Sequence, residues 1–165
     1  MTKNLCPICG LGHLHTQHEL IEVEHMGHTG SISNQYSICN ACGSEQAGAD
    51  DVRFNKREMI AFKKKSQGLL TGSEVRDMRK NWGLNQKEAA KVFGGGPVAF
   101  SKYETNDIMQ SEAIDKLLRL ANDVPASLDW LMLNAGVERK INSDWTTVAV
   151  VNFHKKETKQ KNKDH

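Results

Sequence analysis

Cys6-Pro7-Ile8-Cys9-Gly10 and Cys39-Asn40-Ala41-Cys42-Gly43 decide how the first third of the chain folds. Each stretch is a C-x2-C pair followed by glycine, a spacing that lets a tight turn aim two thiolates at one ion while the glycine takes a backbone angle other residues resist. Two such knuckles predict one four-cysteine zinc site with Cys6, Cys9, Cys39 and Cys42 as ligands, one structural Zn2+ per chain. The intervening 29 residues hold two β-favouring runs, 18–25 and 31–38, on either side of Gly27-His28-Thr29-Gly30. They read as a hairpin with its base at the metal, in which Ile32, Tyr36 and Ile38 share a face.

A four-thiolate shell leaves no open position for water, so this zinc is expected to hold the fold and not to catalyse. No His is followed two residues later by Glu, as a deaminase would require. Five of the seven histidines (His13, His15, His18, His25, His28) lie in this segment. They suit exposed hairpin positions or pH-sensitive contacts, with replacement of a thiolate or a second site as the alternatives. No nucleophile-base pair or phosphate loop is evident, and the chain reads as a non-enzyme.

Working outward, Asp50-Asp51 is a plausible N-cap for a helix reaching Gly68. Five short helices follow. Thr71-Gly72-Ser73-Glu74 is a capping box that opens a helix ending at Gly83, and Asn85-Gln86-Lys87-Glu88 opens another, Gln86 to Phe93. After Gly94-Gly95-Gly96, Pro97 suits the first turn of a helix to Asn106; Ser111 opens the next, and the last runs from about Ala126 to Asn134. The fold class is therefore α+β, a zinc-ribbon-like hairpin domain with a helix and then an all-α domain. The expected division is 1–66, 67–136 and an extension 137–165, with a hinge at Ser66-Gln67-Gly68 and a weak strand over Trp145–Phe153 before a basic tail.

With 165 residues, 38% hydrophobic and 25% charged, the chain has room for one domain or two small ones and none for a large catalytic barrel. It lacks an apolar run of membrane-spanning length and the apolar core of a signal peptide, and so reads as cytoplasmic. The overall charge of +2 conceals an asymmetry: residues 1–51 carry one basic residue against six acidic, whereas 52–70 carry six basic against one acidic. The two regions should attract opposite partners.

Gln86, the glycine-broken turn and a following helix with Ser101 and Lys102 have the order of a helix-turn-helix, whose second helix enters the major groove. That region is close to electrically neutral. The adjacent Arg53, Lys56, Arg57, Lys63, Lys64 and Lys65 could neutralise phosphates in its place. At Leu84-Asn85-Gln86-Lys87-Glu88-Ala89-Ala90 and Phe93-Gly94-Gly95-Gly96-Pro97-Val98-Ala99-Phe100-Ser101-Lys102-Tyr103-Glu104 the sequence resembles the MqsA antitoxin family, described as carrying a YgiT-type zinc finger. The likeness includes the four-cysteine pattern and leaves out roughly the last thirty residues.

The resemblance implies an N-terminal zinc domain that binds an RNA-cleaving toxin and a C-terminal helix-turn-helix domain that dimerises and represses the operon. It places the zinc ligands at Cys6, Cys9, Cys39 and Cys42. It places Val98 and Lys102 where the best-known member of the family has a base-reading Asn and Arg. Both reading positions differ, and valine can pack against a thymine methyl but cannot make the bidentate contact to adenine, so a different operator is expected. Gln86 and backbone amides near Gly96 and Val98 are candidate phosphate contacts, with Pro97 and Ser101 beside them at the DNA and Lys63, Lys64 and Lys65 supplying affinity. The expected partners are a near-palindromic DNA operator, a second copy of the chain through the apolar last helix, and a basic toxin. The strand His18–His25 could add a toxin strand to its edge, with Glu19, Glu22 and Glu24 beside the new ladder. A zinc-containing helix-turn-helix regulator without a toxin partner is the alternative.

Overall fold

The computed structural model describes residues 4–138. An antiparallel hairpin, β1 (Leu14–His25) and β2 (His28–Cys39), is joined along β2 by a two-residue β3 (Glu45–Gln46). Six helices follow: α1 (Ala49–Ser66), α2 (Gly72–Asn81), α3 (Gln86–Phe93), α4 (Ala99–Glu104), α5 (Glu112–Asp123) and α6 (Pro125–Asn134). The α+β class and the five helices after the connector match the sequence expectation. The expected strand over Trp145–Phe153 and the basic tail lie outside the described residues.

The hairpin is longer and its turn tighter than Gly27–Gly30 suggested. Met26 and Gly27 alone make the turn, with φ of 51° and 77°, the pair of left-handed residues that lets a two-residue loop follow the twist of its strands. His28, Thr29 and Gly30 are thereby freed to pair with His25, Glu24 and Val23. Gly30 serves packing instead of turning, since a Cβ there would lie 2.6 Å from the Phe62 ring of α1.

α1 crosses the outer edge of β2. Phe62 lies against Gly30 on one face of the hairpin. Near the other end of the helix, Asp51 accepts from Ser37 Oγ at 3.2 Å, and Ser37, of opposite parity to Gly30, points to the opposite face. Where the helix crosses, Asn55 treats Gln35 as a strand would: its Oδ1 accepts from Gln35 N at 2.6 Å and its Nδ2 donates to Gln35 O at 2.8 Å. The helix starts at Ala49, one residue before the expected Asp50-Asp51 cap. Asp51 acts from inside the first turn, accepting from Gly48 N at 2.9 Å and Gln35 Nε2 at 2.7 Å. These donors hold its carboxyl below the usual range despite burial.

Both predicted capping boxes form. Glu74 N donates to Thr71 Oγ1 and Glu88 N to Asn85 Oδ1, while each glutamate accepts from the cap's own amide at 2.7 Å. Ser111 caps α5 through Ile114 N. α4 is shorter than the expected Pro97–Asn106. Gly94, Gly95 and Gly96 all have positive φ, which keeps Pro97 in the turn, and Asn106 at φ 58° ends the helical run. The core is a chain of aromatic contacts from Trp82 through Phe93 and Phe100 to Tyr103, closed by Val75, Leu118, Leu128 and Met132.

Candidate metal centre and nucleic-acid interface

The two knuckles are built alike. Gly10 N donates to Cys6 O at 2.9 Å and Gly43 N to Cys39 O at 3.0 Å, closing turns in which Gly10 and Gly43 adopt φ of 68° and 69°. Backbone amides also point at sulfur: Gly12 N approaches Cys9 Sγ and Ala41 N approaches Cys39 Sγ, each at 3.4 Å. All four Sγ atoms lie within 4.8 Å of one another, and Cys6–Cys42 and Cys9–Cys39 are 3.8 and 3.7 Å apart. Four sulfurs placed tetrahedrally about 2.3 Å from one ion would be separated by about 3.8 Å. The spacing fits such an ion, and the cysteines are not disulfide-bonded.

Two of the thiols are drawn toward the thiolate form, while burial and the neighbouring Cys42 and Cys6 thiols raise the third, Cys39. The Cys9 backbone amide brings the Cys6 thiol down to about 5, and Ser44 lowers Cys42. Gln46 Nε2 donates to Cys6 Sγ at 3.4 Å, a contact that β3 exists to deliver and that two residues of strand gave no periodicity to announce. Gly12 was also missed. A Cβ on it would sit 2.5 Å from Cys39 Sγ and 2.6 Å from the Ala41 Cβ, so the backbone crosses the metal site where no side chain fits. Among the described residues, no histidine joins the cluster of possible ligands. His18 instead packs edge-on against Phe54, and His25 hydrogen-bonds Gln67.

The four-cysteine cluster lies at the base of a hairpin whose two edges differ. Gln35 turns its N–H and C=O away from β1 toward Asn55, so the alternation of an antiparallel pair turns the N–H and C=O of its partner His18 outward on the other side. The same holds for Thr16, Leu20, Glu22 and Glu24, while Leu14 N is taken by Asn4 O. β1 is thus an edge strand of the sheet, opposite β3. Leu20, Glu22 and Glu24 are exposed on one face. Glu19 is on the other face, accepting from Asn34 Nδ2 at 2.9 Å, so the three glutamates are not one group.

At the helix-turn-helix, the structure exposes Gly96, Pro97, Val98 and Lys102 together on the turn and on α4, with Ser101 half-buried beside them. Two expected DNA-facing groups are engaged elsewhere. Gln86 Nε2 donates to Glu104 Oε2 at 3.0 Å, within a buried network in which Arg79 grips both Glu104 oxygens. Burial would raise the Glu104 carboxyl, but Arg79 and Gln86 outweigh it and hold it low. Lys64 is fully buried and donates to Tyr103 O at 2.8 Å and Asn106 Oδ1 at 3.0 Å. Burial pushes its ammonium down to about 8. Of the lysine triplet, Lys63 is half-buried and Lys65 exposed.

On α6, Leu128 and Met132 are buried, while Trp130 and Leu133 are 63% and 79% exposed. No helix among the described residues is long and apolar enough to cross a membrane. A family model described as the antitoxin component of bacterial toxin-antitoxin systems, MqsA, matches residues 4–131. The chain is also similar to antitoxin MqsA of Escherichia coli (strain K12), with 26% identity over 126 residues that span 75% of this chain and 96% of that protein.

Proposed function

Because the chain belongs to the MqsA antitoxin family, we propose that it neutralises a toxin through its metal-bearing hairpin and represses its own operon through its helix-turn-helix. The observation that carries this reading is the pairing, in one chain, of a hairpin gathered at its base by four clustered cysteines, with β1 at its edge, and a helix-turn-helix that exposes Val98 and Lys102. The ion is Zn2+: four thiolates in a closed tetrahedral shell suit its ligand preferences and leave no site for substrate. Its work is to hold a hairpin too small to be stable on its own apolar core.

The toxin pairs along β1, whose outward amides and carbonyls at Thr16, His18, Leu20, Glu22 and Glu24 offer a ladder to a partner strand. Glu22 and Glu24 then meet basic groups of that partner and steer the encounter. On DNA, Lys102 and Val98 reach base edges, while Gly96, Pro97 and Ser101 line the approach. Two copies pair through Trp130 and Leu133, setting two recognition helices against a near-palindromic site. A reporter fused to the operon's promoter tests the repression: the chain should silence it, and Lys102→Ala should restore expression without loss of bound zinc. Continued silencing by Lys102→Ala would contradict this docking of α4.

A further inference from the structure

A groove of about 500 Å³ runs between α1 and the recognition helix, lined by Arg53, Lys56, Arg57, Lys102, Asp107 and Ile108 among others. Its charges are unequally committed. Arg57 Nε donates to Asp107 Oδ1 at 2.7 Å and Nη2 to Oδ2 at 3.1 Å, and this guanidinium, with its two bonds, holds the Asp107 carboxyl down at about 2. The one carboxylate in the lining is therefore neutralised. Arg53, Lys56 and Lys102 are exposed, and none takes part in an ion pair among the described residues. Arg53 and Lys56 are three residues apart and so share one face of α1. Asp51, the acid nearest Arg53 in sequence, is turned the other way, into β2.

The position of α1 beside α4 is held at two points. The Arg57–Asp107 pair ties the middle of the helix to the loop after α4, and the buried Lys64 ammonium ties its last turn to Tyr103 O and Asn106. A fully buried ammonium is costly unless its donors are met, so a lysine here is better explained as a tie than as a surface charge.

We infer that Arg53 and Lys56 of α1 form, with Lys102, one cationic ridge that binds the phosphate backbone flanking the site read by α4. The DNA surface thus crosses from the helix-turn-helix onto the helix that carries the metal hairpin. This rests on the reading of α4 as a duplex-reading helix. The cations that serve are those the fold turns into the groove; Lys64, inside the adjacent triplet, serves by holding α1 in place.

Full-length chain is titrated with two duplexes of equal length, one spanning the promoter of its own operon and one of random sequence, over a range of salt. In Arg53→Gln/Lys56→Gln, affinity should fall for both duplexes by the same factor, about tenfold at low salt, and the log–log salt slope should flatten by about one for each side chain removed. Zinc content and melting temperature should stay those of the parent. Lys116→Gln, which removes a lysine paired with Glu112 on α5, should leave both affinities unchanged. An unaltered slope in the double variant, while the parent binds, would overturn the ridge and leave the repressor reading standing. Loss confined to the promoter duplex would also overturn it, since phosphate contacts do not choose sequence. Failure of the parent to bind either duplex would overturn the repressor reading and the ridge with it.

Discussion

Gly12, Lys64 and Glu104 are residues whose environment decides what can replace them. Gly12→Ala introduces a methyl 2.5 Å from Cys39 Sγ. The variant should bind less than one metal per chain by elemental analysis and lose hairpin signal in circular dichroism, while the helical half melts as before. Glu104→Ala strands Arg79 and leaves Gln86 without its acceptor, so it should destabilise the helical half by about 3–5 kcal/mol in denaturant melts, the cost of breaking a buried ion pair. Lys64 gives a pH signature. Its folded pKa of about 8 lies below the ordinary lysine value, so the unfolded chain binds more protons between them, and stability gains from rising pH across that window. Wild-type protein should therefore gain stability relative to Lys64→Met between pH 8 and pH 10, and a constant gap would argue that the ammonium is not desolvated. Val98→Asn should change operator preference in a binding-site selection; the same preferred sequence would mean that α4 docks differently from the geometry proposed here.

At the scale of elements, what was legible depended on whether the signal was local. The knuckles, the capping boxes at Thr71 and Asn85 and the cap at Ser111 are short-range patterns, and the structure contains them where the sequence placed them. The turn of the hairpin was misplaced because Gly30 looked like a turn residue, when its lack of a side chain answers to Phe62, more than thirty positions away. The strand-like use of Asn55, the sulfur contact of Gln46 and the inward turn of Gln86 are likewise set by distant partners. Charge was legible as a run but not as a face: six basic residues between 52 and 70 include one that is buried and one paired with Asp107. α6 carries a prediction of its own. Two large apolar side chains left on its outer face suit an interface between copies, so Trp130→Ser/Leu133→Ser should shift the chain from dimer to monomer in sedimentation, and an unchanged dimer would place the interface elsewhere.

Across the whole molecule, α1 joins two kinds of chemistry. On one side it closes the β2 edge of the cysteine-based hairpin through Asp51 and Asn55, leaving β1 open; on the other it is tied to α4 and the loop after it through Lys64 and Arg57. The expected hinge at Ser66-Gln67-Gly68 is bridged by Arg119 Nη2 donating to Gly68 O at 2.9 Å and by the Gln67–His25 hydrogen bond. The edge of β1 and the exposed face of α4, the two surfaces proposed for toxin and DNA, therefore belong to one connected framework. The most direct test co-expresses the full chain with the protein encoded beside it and weighs the purified product by light scattering. The account predicts a stable complex that relieves the partner's toxicity, keeps its zinc, and is broken when proline at His18 and Leu20 blocks the outward amides of β1. No complex with the parent chain, or one that forms equally well with the blocked edge, would contradict it.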